Sequence, residues 1–511
     1  MRNHPAGSVR RSQDESVKES RRDYHLKLRS EQTGAMGPGQ TQDSRNLAGR
    51  GRLGAQRHRS RLHTTHVLII GFAGIILLGT LLLKLPAASP SDVSITWIEA
   101  LFTATSAVTV TGLGVLTTAT DLTRFGQLVI LFLLQVGGVG FIAFSVLLFR
   151  LVGRRVTLNE RFMIQQSLGG ERLVSFSRQW GRLGSAANLA LYVLVVTLAI
   201  EAVGTILLWL RWRTELPDGE ALWLALFHAV SSYCNAGFDL FTGSGLAPVF
   251  GFSSDYFTLA VMAVLIFLGG VGVAVLYDVV SFFRNRMLAL NTRITLLLSC
   301  ALLLVGLGVM LLDRQLYQTT LASYSAGEQL AVSVFTVISA RTAGLTILPL
   351  EELSQSTQLM LLFWMFIGGA PASMAGGVTS STVGVLLISA LATAKGGDNE
   401  AVAFGRSVPR ETLNKAVAIM TVSTLLVAGV TMLLSLLQQG DIFALGFEVV
   451  SAFANAGYSL GFTSELGAWG QALIAFTMFW GRLGPLTIVI ALAQRERPRL
   501  LHFPEEPVIL G

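Results

Sequence analysis

Eight apolar runs, at about residues 66 to 88, 124 to 150, 187 to 210, 255 to 283, 292 to 312, 357 to 393, 414 to 438 and 469 to 494, dominate this chain and limit what it can fold into. Each is long enough to cross about 30 Å of hydrocarbon, which takes about 20 helical residues. With 52% hydrophobic and 14% charged residues over 511, and a mean hydropathy of +0.59, the chain is too apolar for a soluble globular protein. The runs group in pairs, and a weaker apolar segment of about 10 to 14 residues lies inside each pair, too short to span. The expected unit is therefore helix, short helix, loop, helix. Its four copies at 66–150, 187–283, 292–393 and 414–495 predict an all-α membrane protein of eight spans in four pseudo-symmetric repeats around a central pore. A polar head, 1–65, and a C-terminal segment, 496–511, flank them.

Each short segment runs into a loop that ends in a small residue and a glycine: Val110-Thr111-Gly112, Asn235-Ala236-Gly237, Thr342-Ala343-Gly344 and Asn455-Ala456-Gly457. The glycines follow one another at 125, 107 and 113 residues, too far apart for a soluble solenoid repeat. Phe102, Phe227 and Phe447 lie ten residues before their glycines, and Phe335 lies nine before its own. A dehydrated cation needs several oxygens at short range, and a ring of backbone carbonyls supplies them without a full negative charge in the membrane. Glycine lets such loops approach closely and turn their carbonyls through backbone states closed to other residues. The residues before each glycine are the natural donors, the half-helices aim their partly negative C-termini at the ion's path, and Asn235 and Asn455 offer side-chain bonds between loops.

Charge sets the orientation. The head carries fourteen Lys or Arg against six acids, and Arg154, Arg155, Arg161, Arg284, Arg286, Arg293, Arg406 and Arg410 lie in the links after the second, fourth and sixth runs. Basic residues collect on the cytoplasmic side, so both termini are expected inside, in a multi-pass protein of the cytoplasmic membrane. The segments holding the glycine loops have four basic residues against fourteen acids, among them Asp92, Asp218, Glu220, Asp239, Glu351, Glu352 and Asp441. Such an outer vestibule concentrates cations, or simply lacks the basic bias of the inner links. The head reads as a solvated, disordered arm touching at most anionic lipid, and no nucleic-acid partner is expected.

At these residues the chain resembles the Trk/Ktr/HKT superfamily of potassium transport proteins, over roughly residues 66 to 495. The resemblance rests on Thr109-Val110-Thr111-Gly112-Leu113, Asn235-Ala236-Gly237-Phe238-Asp239, Arg341-Thr342-Ala343-Gly344, Asn455-Ala456-Gly457-Tyr458-Ser459, Phe366-Ile367-Gly368-Gly369 through Ala375-Gly376-Gly377, and Gly481-Arg482-Leu483-Gly484-Pro485-Leu486-Thr487. It is closest to the Ktr membrane subunit (KtrB). The resemblance implies potassium uptake through a selectivity filter made by the four loops, with potassium bound at their carbonyls and sodium dependence left open. Gly112 favours potassium, since serine in the first loop goes with sodium transport in the family. It also implies a homodimer on a cytoplasmic, nucleotide-binding regulatory ring (KtrA-like), and no cofactor in this chain.

The sixth run cannot be one helix. Gly368, Gly369, Ala370, Pro371, Ala372, Ser373, Ala375, Gly376 and Gly377 crowd into ten positions, and glycine costs about 1 kcal/mol and proline about 3 in a helix. Broken backbone at membrane depth lines protein or a water-filled cavity; tight helix packing through small residues is the other reading. Resemblance makes the segment a gate, though Thr379 stands where a lysine is common. Arg482, in the middle of the last run, costs roughly 2.5 to 3.5 kcal/mol there and is expected to pair with carbonyls of the broken segment and oppose cation flow, or else to cap helix ends. Glu201, deep in the third run, is expected to meet a hydroxyl or a backbone group, with no transport role.

Enzyme readings fare poorly: there is no H-E-x-x-H or G-x-S-x-G, and Cys234 and Cys300 form neither a disulfide framework nor a metal cluster. Gly137-Gly138-Val139-Gly140 and Gly269-Gly270-Val271-Gly272 lie inside apolar runs and read as close helix packing rather than nucleotide loops. A sodium-translocating member of the superfamily, or a secondary transporter of another small solute, remain as alternatives; the latter would need inverted repeats, whereas these run in one direction.

Overall fold

In the computed structural model, residues 64–139, 186–245, 254–317, 320–371, 373–396 and 401–484 are described. The head up to residue 63, the link with Arg154, Arg155 and Arg161, the ends of the second and eighth runs, and the segment 496–511 lie outside those residues. The described chain is helical apart from a two-stranded hairpin. In order it comprises α1 (Thr64–Leu83), α2 (Trp97–Thr109), α3 (Arg124–Val139), α4 (Ala186–Trp212), α5 (Asp218–Cys234), α6 (Tyr256–Asn285), α7 (Leu290–Tyr317), α8 (Ala326–Ala340), α9 (Gln355–Phe366), α10 (Ser380–Ala394), β1 (Val402–Ala403), β2 (Arg406–Ser407), α11 (Arg410–Leu437), α12 (Ile442–Ala454) and α13 (Ala468–Leu483).

Among the described residues, four segments have the length and hydropathy to cross a bilayer alone: Leu191–Trp212, Tyr256–Phe283, Leu290–Asp313 and Arg410–Leu437. Three of them are mostly unburied, while Tyr256–Phe283 is more than half buried. Leu297, Leu304, Leu425 and Leu436 are 62 to 73% exposed, the reverse of a soluble fold and the pattern of a helix solvated by lipid. The short helices are the buried ones. In α2 every residue from Phe102 to Thr109 is buried, and Phe102, Phe227, Phe335 and Phe447 are at most 1% exposed, so the spaced phenylalanines of the sequence form the core.

Three of the four short helices are started by side-chain caps. Thr96 and Glu99 form a reciprocal capping box at α2, as do Ser325 and Glu328 at α8, and the Asp441 carboxylate accepts from Ala444 N at α12. The Ser325 side-chain bond holds the Glu328 carboxyl below its usual range. Two interruptions follow the glycines. Within α6 the helical geometry fails at Gly272, φ +79°. The sixth run is broken as its composition predicts: α9 ends at Phe366 and α10 begins at Ser380. On the side of the basic links, Arg293 lies over the Phe404 ring of the hairpin at 5.7 Å.

Candidate ion pathway

Three of the four loops leave their helix in the same way. Val110, Asn235 and Asn455 cap α2, α5 and α12 in the left-handed conformation, φ 58°, 57° and 51°. Thr111 N, Ala236 N and Ala456 N then donate to the carbonyls of Ser106, Ser231 and Ser451 at 2.8 to 2.9 Å, closing the helix end. A left-handed Val110 is uncommon for a β-branched residue and is held by burial on all sides. The third loop differs. Its phenylalanine is one residue nearer the glycine, the left-handed residue is missing, and the single carbonyl of Ser339 takes Thr342 N, Ala343 N and Gly344 N at 3.2, 2.8 and 3.3 Å.

The four loops meet. A Cβ placed on Gly112 would overlap the carbonyl oxygen of Ala236; on Gly237 it would lie 2.7 Å from that of Ala343; on Gly344, 2.6 Å from that of Ala456; and on Gly457 it would overlap that of Thr111. The order is cyclic, each glycine against the carbonyl of the next loop and the fourth against the first. All four glycines have positive φ, from 68° to 87°. Side chains tie neighbouring loops together: the Asn235 amide and the Thr342 hydroxyl bond at 2.8 Å, and Asn455 Nδ2 donates to Thr111 Oγ1 at 2.8 Å and to Met478 O at 3.0 Å. The carbonyls of Thr111, Ala236, Ala343 and Ala456 thus come together, one per loop, each beside the glycine of a neighbouring loop, and several oxygens at short range are what a bare alkali cation requires.

Beyond the loops lies a cavity of about 510 Å³ whose lining includes Asp239, Thr346, Glu351 and Ser459. Of the acids expected at a vestibule, Asp239 and Glu351 reach it. The Asp239 carboxylate is aimed by its own turn, accepting from Phe241 N at 2.8 Å and Thr242 N at 2.7 Å.

The broken segment crosses beneath the loops and touches several helices. Gly368 N donates to Val378 O at 2.9 Å, closing the segment on itself, and Ala370 N and Met374 N donate to Gly270 O at 2.9 Å and Gly269 O at 3.2 Å. A Cβ on Gly369 would overlap Gly270 O, and one on Gly376 would overlap the Asn455 side chain, while Gly377 has φ +73°. Arg482 is half-buried and donates from Nη1 to Met374 O and from Nη2 to Gly137 O, the latter at 2.6 Å. The pairing with a carbonyl of the broken segment is the one expected from sequence.

Other partners were not legible. Among the described residues the Glu201 carboxylate meets neither a hydroxyl nor the backbone: Gln135 Nε2 donates to it at 3.1 Å and Cys234 Sγ lies at 3.6 Å, both brought in from other helices. Arg341 reaches from the end of α8 to Gly368 O at 3.1 Å and Ser299 Oγ at 2.7 Å, so the broken segment is held by two guanidinium groups. Nothing in the sequence singles out the four serines, though each stands four residues after its phenylalanine. Ser106 Oγ accepts from Gly112 N at 3.1 Å, and the Ser231 and Ser339 hydroxyls donate to Phe238 O and Leu345 O at 2.6 and 2.8 Å. The glycine pairs do serve close packing: a Cβ on Gly137, Gly269 or Gly481 would overlap the carbonyl of Val108, Tyr233 or Phe453, in each case four residues before a loop glycine.

Long apolar helices with exposed faces, packed around buried short helices whose loops converge, are those of a multi-pass membrane protein. The chain matches the TrkH family model, described as cation transport protein, over residues 55–501. It is 33% identical over 462 residues to the potassium/sodium uptake protein NtpJ of Enterococcus hirae, covering 89% of this chain and 99% of that one. It is 34% identical over 458 residues to Ktr system potassium uptake protein B of Vibrio alginolyticus, covering 89% and 97%. The crystal structure of the potassium transporter TrkH from Vibrio parahaemolyticus shares the fold, with a TM-score of 0.64 at 19% identity over 86% of this chain and 87% of that chain. The chain belongs to the TrkH cation transport protein family, and is a transporter rather than an enzyme.

Proposed function

We propose that this protein takes up potassium across the cytoplasmic membrane through a filter formed by Val110, Thr111, Gly112, Asn235, Ala236, Gly237, Thr342, Ala343, Gly344, Asn455, Ala456 and Gly457. The observation that carries this reading is the cyclic contact of each loop glycine with the next loop's carbonyl. The filter sits at the centre of eight spans in four repeats, 66–150, 187–283, 292–393 and 414–495. The segment bearing Gly368, Gly369, Gly376 and Gly377 is the gate, and Arg482 is its latch. Both termini are cytoplasmic, in keeping with Arg286 and Arg406 on the links α6–α7 and α10–α11 and with Arg293 and Arg410 in the first turns of α7 and α11. The working form is a homodimer on a KtrA-like, nucleotide-binding ring; the name of the Vibrio alginolyticus relative, a component of a Ktr system, supports a partner. Sodium passage or coupling is the second reading, favoured by the name of the Enterococcus relative.

The test is rescue of potassium-uptake-deficient cells at low external potassium, with the ring subunit co-expressed, comparing wild type with Gly112→Ser. At φ +87°, a serine Cβ overlapping Ala236 O and 2.8 Å from Gly237 Cα must push loops 1 and 2 apart. The expected result is rescue by wild type and, in the variant, a potassium-over-sodium preference lower by about tenfold, the equivalent of about 1.4 kcal/mol. A well-expressed wild type that gives no rescue would remove the potassium reading, and an unchanged preference in the variant would remove the role of Gly112.

A further inference from the structure

The residue after each spaced phenylalanine is Thr103, His228, Thr336 or Glu448. In two of the four helices this position carries a long polar side chain, and both perform the same task. His228 Nε2 accepts from Leu240 N at 3.3 Å, and a Glu448 carboxylate oxygen accepts from Leu460 N at 3.2 Å. Leu240 and Leu460 are each the third residue past the loop glycine, so an imidazole and a carboxylate grip the same backbone N–H in loops 2 and 4. His228 Nδ1 lies 2.8 Å from the Leu224 carbonyl, which can only accept; that nitrogen therefore carries the proton and leaves Nε2 as the acceptor.

Both grips are themselves fixed. The imidazole stacks on Phe241 at 4.3 Å between centroids and meets the edge of Trp212 at 5.5 Å. The Glu448 carboxylate takes Thr463 Oγ1 at 2.6 Å and the Ser459 hydroxyl. Both side chains are wholly buried. The two gripped loops are also those that supply the asparagines: Asn235 bonds loop 3 through Thr342, and Asn455 bonds loop 1 through Thr111. Loops 2 and 4 are thus anchored to their own helices, and loops 1 and 3 are tied to them.

We propose that His228 and Glu448 are positioning residues that pin the outer ends of filter loops 2 and 4 and so set the size of the carbonyl ring. They do not touch the ion; discrimination between potassium and sodium depends on them through Leu240 N and Leu460 N. This rests on the potassium-filter reading above.

The experiment measures potassium uptake and its competition by sodium in the same cells, with the full chain and its ring. Glu448→Leu and His228→Phe remove the acceptor while keeping bulk; Glu448→Gln and His228→Gln restore an oxygen that can accept. Losing one such bond is expected to lower the potassium-over-sodium preference about fivefold to tenfold, with the glutamine variants within about twofold of wild type. Thr103→Val and Thr336→Val, at the same step of the other helices, keep the wild-type preference. Should Glu448→Leu fail to reach the membrane, the two His228 variants decide the matter alone. Leucine and phenylalanine variants with wild-type preference, or glutamine variants as impaired as they are, overturn the proposal. Wild type without potassium uptake would instead defeat the filter reading, and the positioning role with it.

Discussion

Gly457→Ala is expected to abolish uptake while leaving the protein in the membrane. The added Cβ would overlap Thr111 O and lie 3.0 Å from Gly344 Cα and 3.4 Å from Gly112 Cα, at φ +82°. Everything it meets is backbone, drawn from two other loops, so no side chain can rotate away. Left-handed backbone alone costs an L-residue about 1–2 kcal/mol, and the overlap adds to that. Relief must come from opening the ring, and a loss of about 100-fold in rubidium or potassium uptake corresponds to about 3 kcal/mol. Gly308→Ala is the matching control, because a Cβ there meets nothing within 4 Å and alanine favours the helix. Equal uptake by both variants would show that the loop glycines do not line the path.

Arg482→Ala is expected to raise basal flux by about tenfold or more and to loosen its regulation. The guanidinium joins Met374 O of the broken segment to Gly137 O of α3, and hydrogen bonds from a charged donor contribute about 1.5–3 kcal/mol each. Without them the segment keeps its bonds from Ala370 N to Gly270 O and from Met374 N to Gly269 O, so it is unlatched rather than unfolded. The positive charge that opposes a cation is removed at the same time. Arg482→Lys keeps the charge but not the two-armed reach, and should fall between wild type and alanine. Potassium efflux from loaded vesicles without the ring subunit measures this; flux equal to wild type in the alanine variant would leave Arg482 a structural residue.

What could be read from sequence was whatever repeats or breaks a local rule. The loops and their phenylalanines share a spacing, and the one phenylalanine out of step, Phe335, marks the loop whose helix cap is not left-handed. The break between Phe366 and Ser380 was legible because four glycines and a proline fall within ten positions, and their helix costs, about 1 kcal/mol for each glycine and about 3 for the proline, add up. Contacts across the fold were not. Nothing in the composition of α3, α4 and α5 says that Gln135, Glu201 and Cys234 converge, or that Arg341 reaches Gly368. The serines four residues after the phenylalanines were visible yet carry little signal, since a hydroxyl in a buried helix ordinarily bonds its own backbone. His228 and Glu448 break the rule against buried charge-bearing groups, and their partners, Leu240 N and Leu460 N among them, are visible only in the fold.

The position of the bound ion tests the carbonyl ring most directly. Crystals grown in thallium, with data collected for its anomalous signal, should show density on the axis ringed by the carbonyls of Thr111, Ala236, Ala343 and Ala456, replaced when potassium is exchanged back. Thallium bound only away from that ring, in crystals of a protein competent for uptake, would contradict it.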